Sequence, residues 1–271
     1  MRRKLAYLMI CLPLCLFLVP DRAPVALSIS PLAPSEEYCE DGRSLPDDAA
    51  FERLARENAV AFLDACLKRY HREIKGYCGV MKKQERIGRE EIAPELLDFW
   101  FREDPYSVLL KWRQGARGAK ASLFVQNQNS NRVAVVATRL GVVWDIDPEG
   151  RFAGEAGRYS IREFSLRQAT ERTRRAWAAA QENGCLCVEY LGKAPVAELD
   201  GRTCYRLRRT CTPPEDGVAT VELAIDAESW LQTGSILLDS HGHLVGKYLF
   251  CRLQINPQFD ATQFERSALK K

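Results

Sequence analysis

Histidine is scarce here, and the usual signatures of catalysis are missing. The 271-residue sequence has only 3 histidines and lacks a G-x-S-x-G elbow, an H-E-x-x-H pair and a Walker-type phosphate loop. Those absences exclude the elbow hydrolases, the helix-borne zinc peptidases and the P-loop nucleotidases as recognisable classes. His71 falls in a helical stretch beside Tyr70 and Arg72, while His241 and His243 flank Gly242 in a turn; each reads as a solvated or turn residue. An excess of one charge is also absent from the bulk of the chain. Four of the 39 basic residues and one of the 36 acidic residues fall in 1–26, which leaves 35 of each beyond that point. A nucleic-acid binder keeps a basic surplus to neutralise phosphates, so that class is excluded. Internal repeats and long low-complexity tracts are lacking too, and with them the solenoids and arrays.

What is present begins with an export pattern. Arg2, Arg3 and Lys4 precede an apolar run from Leu5 to Val19, broken only by Pro13. The run is shorter than the roughly 20 residues a spanning helix needs, and its flanks match a secretory signal. Residues 1–26 are therefore read as a signal peptide or an N-terminal anchor. The cleavage pattern around Ala23 and Ala26 is poor, and Cys15 lacks the small residues that a lipoprotein signal places before its cysteine. The expected location is outside the cytoplasm: periplasmic or cell-envelope. Residues 27–47, rich in Pro, Ser and acidic side chains, read as a linker.

Cys39, Cys66, Cys78, Cys185, Cys187, Cys204, Cys211 and Cys251 lie beyond the signal. In an oxidising compartment an even set predicts disulfides, or else buried thiols, though eight cysteines allow 105 pairings. Cys185 and Cys187 share a strand face, but C-x-C is not ordinary zinc spacing and no histidine lies near, so no metal is assigned.

The 245 residues after position 26 fit one mainly β domain. Apolar spacing predicts a helix from Asp47 or Asp48 to about Lys75, with Phe51, Leu54, Phe62, Leu63, Cys66 and Tyr70 on one side. Strands are expected at 77–87, 92–101 (weakened by Pro94), 106–112, 121–125, 132–138 and 142–146. A second helix, from about Ile161 to Gln181, interrupts them. Strands at 185–192, 202–211, 219–226, 235–239 and 244–255 follow, with a type I′ turn at Asp200-Gly201. The last strand is apolar on both parities, which predicts cover on both faces.

Several stretches carry a resemblance. They are Arg102-Glu103-Asp104-Pro105-Tyr106-Ser107-Val108, Asp147-Pro148, Gly157-Arg158-Tyr159-Ser160-Ile161 and Asp200-Gly201-Arg202-Thr203-Cys204-Tyr205. Ile225-Asp226, Gly242 to Phe250, Asn256-Pro257, Phe259-Asp260 and Phe264 complete the set. In this order they resemble an uncharacterised bacterial family of exported proteins, similar in fold to the LolA/LolB lipoprotein carriers and receptors. Ser160 stands where that family tends to have proline, and Gln232 follows Leu231 where it often has Leu-Pro. The resemblance implies a mainly β (α+β) architecture. An open, curved antiparallel half-barrel sheet would wrap the N-terminal helix and one inserted helix over residues 48–267, leaving 268–271 as a tail.

The same resemblance implies a concave apolar face able to hold acyl chains. Tyr106, Val108, Leu110, Trp112, Trp144, Tyr248 and Phe250 are the candidates for lining that groove; the alternative is ordinary core beneath the helices. The expected partner is a lipid or lipoprotein, with no cofactor, no metal and no enzymatic activity. Arg162, Arg167, Arg172, Arg174 and Arg175 form either a solvated face or a contact for anionic headgroups. Asp145 and Asp147 read as turn carboxylates rather than cation ligands. The competing reading is an envelope interaction module with a fully packed core.

Overall fold

The structure is a computed structural model that describes residues 44–88, 90–138, 141–154 and 157–270. The signal or anchor segment at 1–26, and all but the end of the expected linker, lie outside the described residues.

The first helix of the sequence reading is two. Helix α1 spans Asp48–Glu57, with Asp47 accepting from the Ala50 amide at 2.7 Å. Asn58 then leaves helical geometry (φ −149°, ψ 84°) and its side chain accepts from the Ala61 amide at 3.0 Å, so it starts helix α2, Ala59–Glu73. A short amide side chain competing with the helical backbone explains the break that apolar spacing does not show. Both helices pack on the sheet through Phe51, Phe62 and Leu63, which meet Tyr205, Leu207, Ile225 and Trp230. Phe51 and Trp230 stack at 3.7 Å.

The strands are β1 (Gly76–Ile87), β2 (Glu90–Glu91), β3 (Glu95–Arg102), β4 (Ser107–Gln114), β5 (Ala119–Val125), β6 (Val133–Ala137) and β7 (Val143–Ile146). The short helix α3 (Arg151–Gly154) and the inserted helix α4 (Leu166–Glu182) follow. Then come β8 (Cys187–Val196), β9 (Arg202–Glu215), β10 (Val218–Asp226), β11 (Gln232–Leu238) and β12 (Leu244–Ile255). They form one antiparallel sheet in the order β7-β6-β5-β4-β3-β1-β12-β11-β10-β9-β8, with β2 paired to β1. The sheet is open, its free edges being β7 and β8. This is the mainly β half-barrel the sequence predicts.

Strand β12 is covered on both faces, as its pattern requires. Tyr248 and Phe250 join the main core with Phe99 and Phe101, while Leu249 and Cys251 pack with Val80, Leu199 and Cys204. On the convex side, Leu109, Leu123, Ala134 and Val136 are covered by Phe264, Ala268 and Leu269. Residues 268 and 269, expected in a tail, are thus buried core.

The disulfide expectation is corrected for the described residues. Cys66, Cys78, Cys185, Cys187, Cys204, Cys211 and Cys251 are all free thiols, and Cys39 lies outside them. Cys66 on α2 and Cys204, Cys211 and Cys251 in the sheet are buried. Burial pushes the Cys204 thiol up to about 11.

Candidate functional site

Alternation along the strands sorts side chains onto two faces. On β1 the concave face receives Met81, Lys83 and Glu85. Glu85 stands opposite Gly246, Gly246 opposite Leu237, Leu237 opposite Val221 and Val221 opposite Arg209. One row therefore crosses five strands with a carboxylate at one end, a guanidinium at the other and apolar surface between. In the adjacent row Lys83 pairs with Glu95 on one side and Tyr248 on the other, and continues to Ser235, Leu223 and Leu207.

Between this face and α4 lies a cavity of about 830 Å³. Its walls are Met81, Leu97, Val135, Ile146, Val221 and Leu237, with Ala169, Thr173, Ala176 and Trp177 from α4 and Tyr159, Ile161 and Phe164 from the segment before it. The volume falls within the roughly 300–1,000 Å³ of small-molecule sites, and the lining is mostly apolar as such sites are. Trp144, Phe152 and Tyr159 stand at 55%, 76% and 37% exposure and also line the cavity, so exposed aromatics border it.

Five of the seven residues singled out in the sequence line this cavity: Leu110, Trp112, Trp144, Tyr248 and Phe250. Tyr106 and Val108 do not. Both are buried in the core, where Tyr106 meets Phe101 and Phe124 edge-on. The Tyr106 hydroxyl donates to the Ile161 carbonyl at 3.0 Å and accepts from the Phe164 amide at 3.0 Å, which holds down the chain entering α4. Ser165 caps α4 by accepting from the Gln168 amide at 3.0 Å, and the Tyr77 hydroxyl accepts from the Leu166 amide at 2.7 Å. The helix thus starts at Leu166, after a 3₁₀ turn at 161–163, rather than at Ile161.

Strand parity and charge together conceal a polar cluster inside the cavity. Lys83 Nζ lies 3.0 Å from Glu85 and 3.3 Å from Glu95, and both carboxylates are buried. The Tyr248 hydroxyl donates to Glu85 at 2.6 Å. Burial and the neighbouring Glu85 carboxylate push that phenol well above its ordinary range. Gly246 makes this bond attainable, because a Cβ there would sit 2.9 Å from the Tyr248 ring. The Arg158 amide donates to both Glu85 oxygens at 3.3 Å, and its guanidinium reaches the Asp216 carbonyl at 3.2 Å and the Asp216 carboxylate. Arg158 therefore spans the concave side, from β1 to the Asp216-Gly217 turn between β9 and β10. At that end Arg209, 2% exposed, makes a two-pronged pair with Glu215, one arm at 2.8 Å. The sequence signal for these groups is charge at inward parity, such as Lys83 and Glu85 two and four residues after Met81.

Other groups weighed in the sequence are already engaged. Asp145 accepts from Asn129 and Arg266, and Asp147 accepts from the Glu149 amide in its turn. Arg167 pairs with Glu103 and Glu171, Arg174 pairs with Asp64, and Arg172 lies over the Tyr159 ring at 4.2 Å. Asp239, His241 and His243 come together at the turn before β12. One Asp239 oxygen accepts both histidine amides and the other binds Arg86 at 2.7 Å, which holds the carboxyl well below its usual range. That carboxylate is committed to the turn. No described helix is long and apolar enough to cross a membrane.

An open sheet curved around an apolar cavity, closed over by one helix and the segment leading into it, defines an open half-barrel. The chain belongs to the family described as "Protein of unknown function (DUF1571)", whose model matches residues 74–269. No curated protein matches it. Among solved structures it is similar to MucB, at 16% identity and a TM-score of 0.48, over 76% of this chain and 62% of that one. It is also similar to a putative outer membrane lipoprotein-sorting protein domain from Vibrio parahaemolyticus (13% identity, TM-score 0.39, 79% of this chain and 100% of that one). A third is the Mycobacterium tuberculosis lipoprotein LppX, at 9% identity and TM-score 0.40, over 75% of this chain and 98% of that one. The chain spans 62% of the length of MucB, and none of these likenesses bears on what it binds.

Proposed function

We propose that the protein binds a lipid, or the acyl chain of a lipidated partner, in the concave cavity, and does so in the cell envelope without chemical turnover. The observation that carries this reading is the cavity of about 830 Å³ walled by Leu110, Trp112, Tyr248 and Phe250. Burying an acyl chain contributes about 0.8 kcal/mol per CH₂, so such walls retain a chain without specific polar chemistry. The N-terminal sequence pattern supports the envelope. The competing interaction module calls for a filled core, and the cavity favours the first reading over it.

The test is organic extraction and mass spectrometry of protein made with its N-terminal segment and purified without detergent. A stoichiometric lipid is expected, and Trp112→Asp should abolish it while circular dichroism stays unchanged. Protein that emerges clean and takes up no added fatty-acyl probe would remove the reading.

A further inference from the structure

Arg209 is the least expected residue on the concave face. Its neighbours in the same row and the next are Val221, Leu237, Leu207 and Leu223, yet it is only 2% exposed and lines the cavity. Bringing a guanidinium out of water is costly, and well-packed apolar residues of similar volume are often as stable as a buried ion pair. Packing alone therefore gives no reason for an arginine here. Its partner is not locked in place. Glu215 is 48% exposed in its side chain and ends β9 at the two-residue Asp216-Gly217 turn. The Arg209 Nε is buried and has no hydrogen-bond partner among the described residues, so one donor of the fork stays unused. Arg158 repeats the arrangement one residue further on, its guanidinium 22% exposed and its partner Asp216 90% exposed. Two guanidiniums on the cavity lining are thus matched to two consecutive carboxylates that reach toward solvent. The planar fork accepts a phosphate or carboxylate as readily as it accepts a glutamate.

We propose that Arg209 and Arg158 receive the anionic headgroup of an amphiphile whose chain lies in the cavity, the Glu215 and Asp216 carboxylates being the internal anions that it displaces. This inference rests on the reading of the cavity as an acyl-chain site and adds the chemical class of its ligand: a chain ending in a phosphate or a carboxylate. Arg209 sets the preference because it is the buried member. A charge-assisted hydrogen bond strengthens away from water, whereas the exposed Arg158–Asp216 pair is screened.

The experiment is isothermal titration of the whole protein with dodecyl phosphate, dodecyl maltoside and inorganic phosphate, each below micellar concentration. Wild type is compared with Glu215→Gln, Asp216→Asn and Arg209→Gln. Removing the internal competitor in Glu215→Gln is expected to tighten dodecyl phosphate about tenfold and leave dodecyl maltoside unchanged. Asp216→Asn, at an exposed position that does not burden the fold, should move the same way by about threefold. Arg209→Gln should erase the preference for phosphate over maltoside. Dodecyl phosphate binding that ignores both acidic substitutions, while both detergents bind, would overturn the headgroup site and leave the cavity reading standing. Absence of binding by either detergent would overturn both. Inorganic phosphate binding as tightly as dodecyl phosphate would identify a free anion site and end the assignment to an amphiphile.

Discussion

Gly246 and Tyr248 show how much of the cavity depends on a missing atom. The Tyr248 ring lies over Gly246 and places its hydroxyl 2.6 Å from Glu85, a carboxylate only 2% exposed. A methyl at position 246 would meet the ring at 2.9 Å and the hydroxyl at 3.0 Å. The ring can relieve that contact only by turning into the cavity and away from Glu85, so Gly246→Ala is expected to cost about 2 kcal/mol through loss of that bond. Tyr248→Phe leaves that carboxylate oxygen short of a donor and should cost a similar amount, about 1–3 kcal/mol. Because both changes break one bond, urea unfolding of the double variant should show less loss than the two singles added together. Strict additivity would mean that the glycine serves some other contact. The sequence offers Tyr248 as an aromatic on an apolar strand, and that much is legible. The charged members of the same cluster are not, because Lys83, Glu85 and Glu95 at inward parity look like a face turned to water. Only the pairing of β1 with β3 and β12 shows that they are buried together, Lys83 between the two carboxylates.

Among the elements, the stretch from Gly157 to Ser165 decides how the cavity is closed. It has little secondary structure of its own beyond the 3₁₀ turn at 161–163, and it is fastened by two phenols from the sheet side, Tyr106 and Tyr77. Tyr106→Phe removes one donor and one acceptor without opening a void. Each lost bond is worth about 1 kcal/mol, about 2 kcal/mol together, so the amides of 161–164 should exchange with deuterium roughly thirtyfold faster while those of β4 stay as they were. Unchanged exchange would show that packing of Ile161 and Phe164 alone holds the segment. Strand pattern located most of the sheet: β12 begins and ends where alternation and turn residues place it, and β1 differs by one residue. What pattern could not give is the purpose of Tyr106. It shares the parity of Val108 and Leu110, which points it to the groove wall, but it precedes β4 in a turn and its ring serves the core. The Asp200-Gly201 turn was legible as punctuation. The 3₁₀ turn at 197–199 that lengthens it was not, although Leu199 from that turn is fully buried against β12.

At the scale of the whole molecule, an open sheet has no ring of hydrogen bonds to hold its two sides at a fixed separation. Arg158 supplies a tie of unequal ends. Its amide binds Glu85, a buried carboxylate, and a bond of that kind contributes about 1.5–3 kcal/mol. Its guanidinium binds Asp216, whose side chain is 90% exposed, and an exposed pair contributes about 0–1 kcal/mol and weakens with salt. The weak end is therefore the one that yields when something enters between the two walls. Arg158→Ala removes that end and leaves the backbone bond to Glu85, so the folded state should lose little stability. Stopped-flow uptake of a fluorescent fatty-acid methyl ester, which has no anionic headgroup for Arg158 to hold, should nonetheless be faster than in wild type at low ionic strength, by no more than about fivefold. At about 1 M salt the Debye length falls to about 3 Å, the wild-type pair is screened, and the two proteins should take up the probe at nearly the same rate. A rate gap that persists undiminished in high salt would show that the Arg158 side chain obstructs entry by its bulk, not by its charge. The Asp216 pair would then have no part in admitting a ligand.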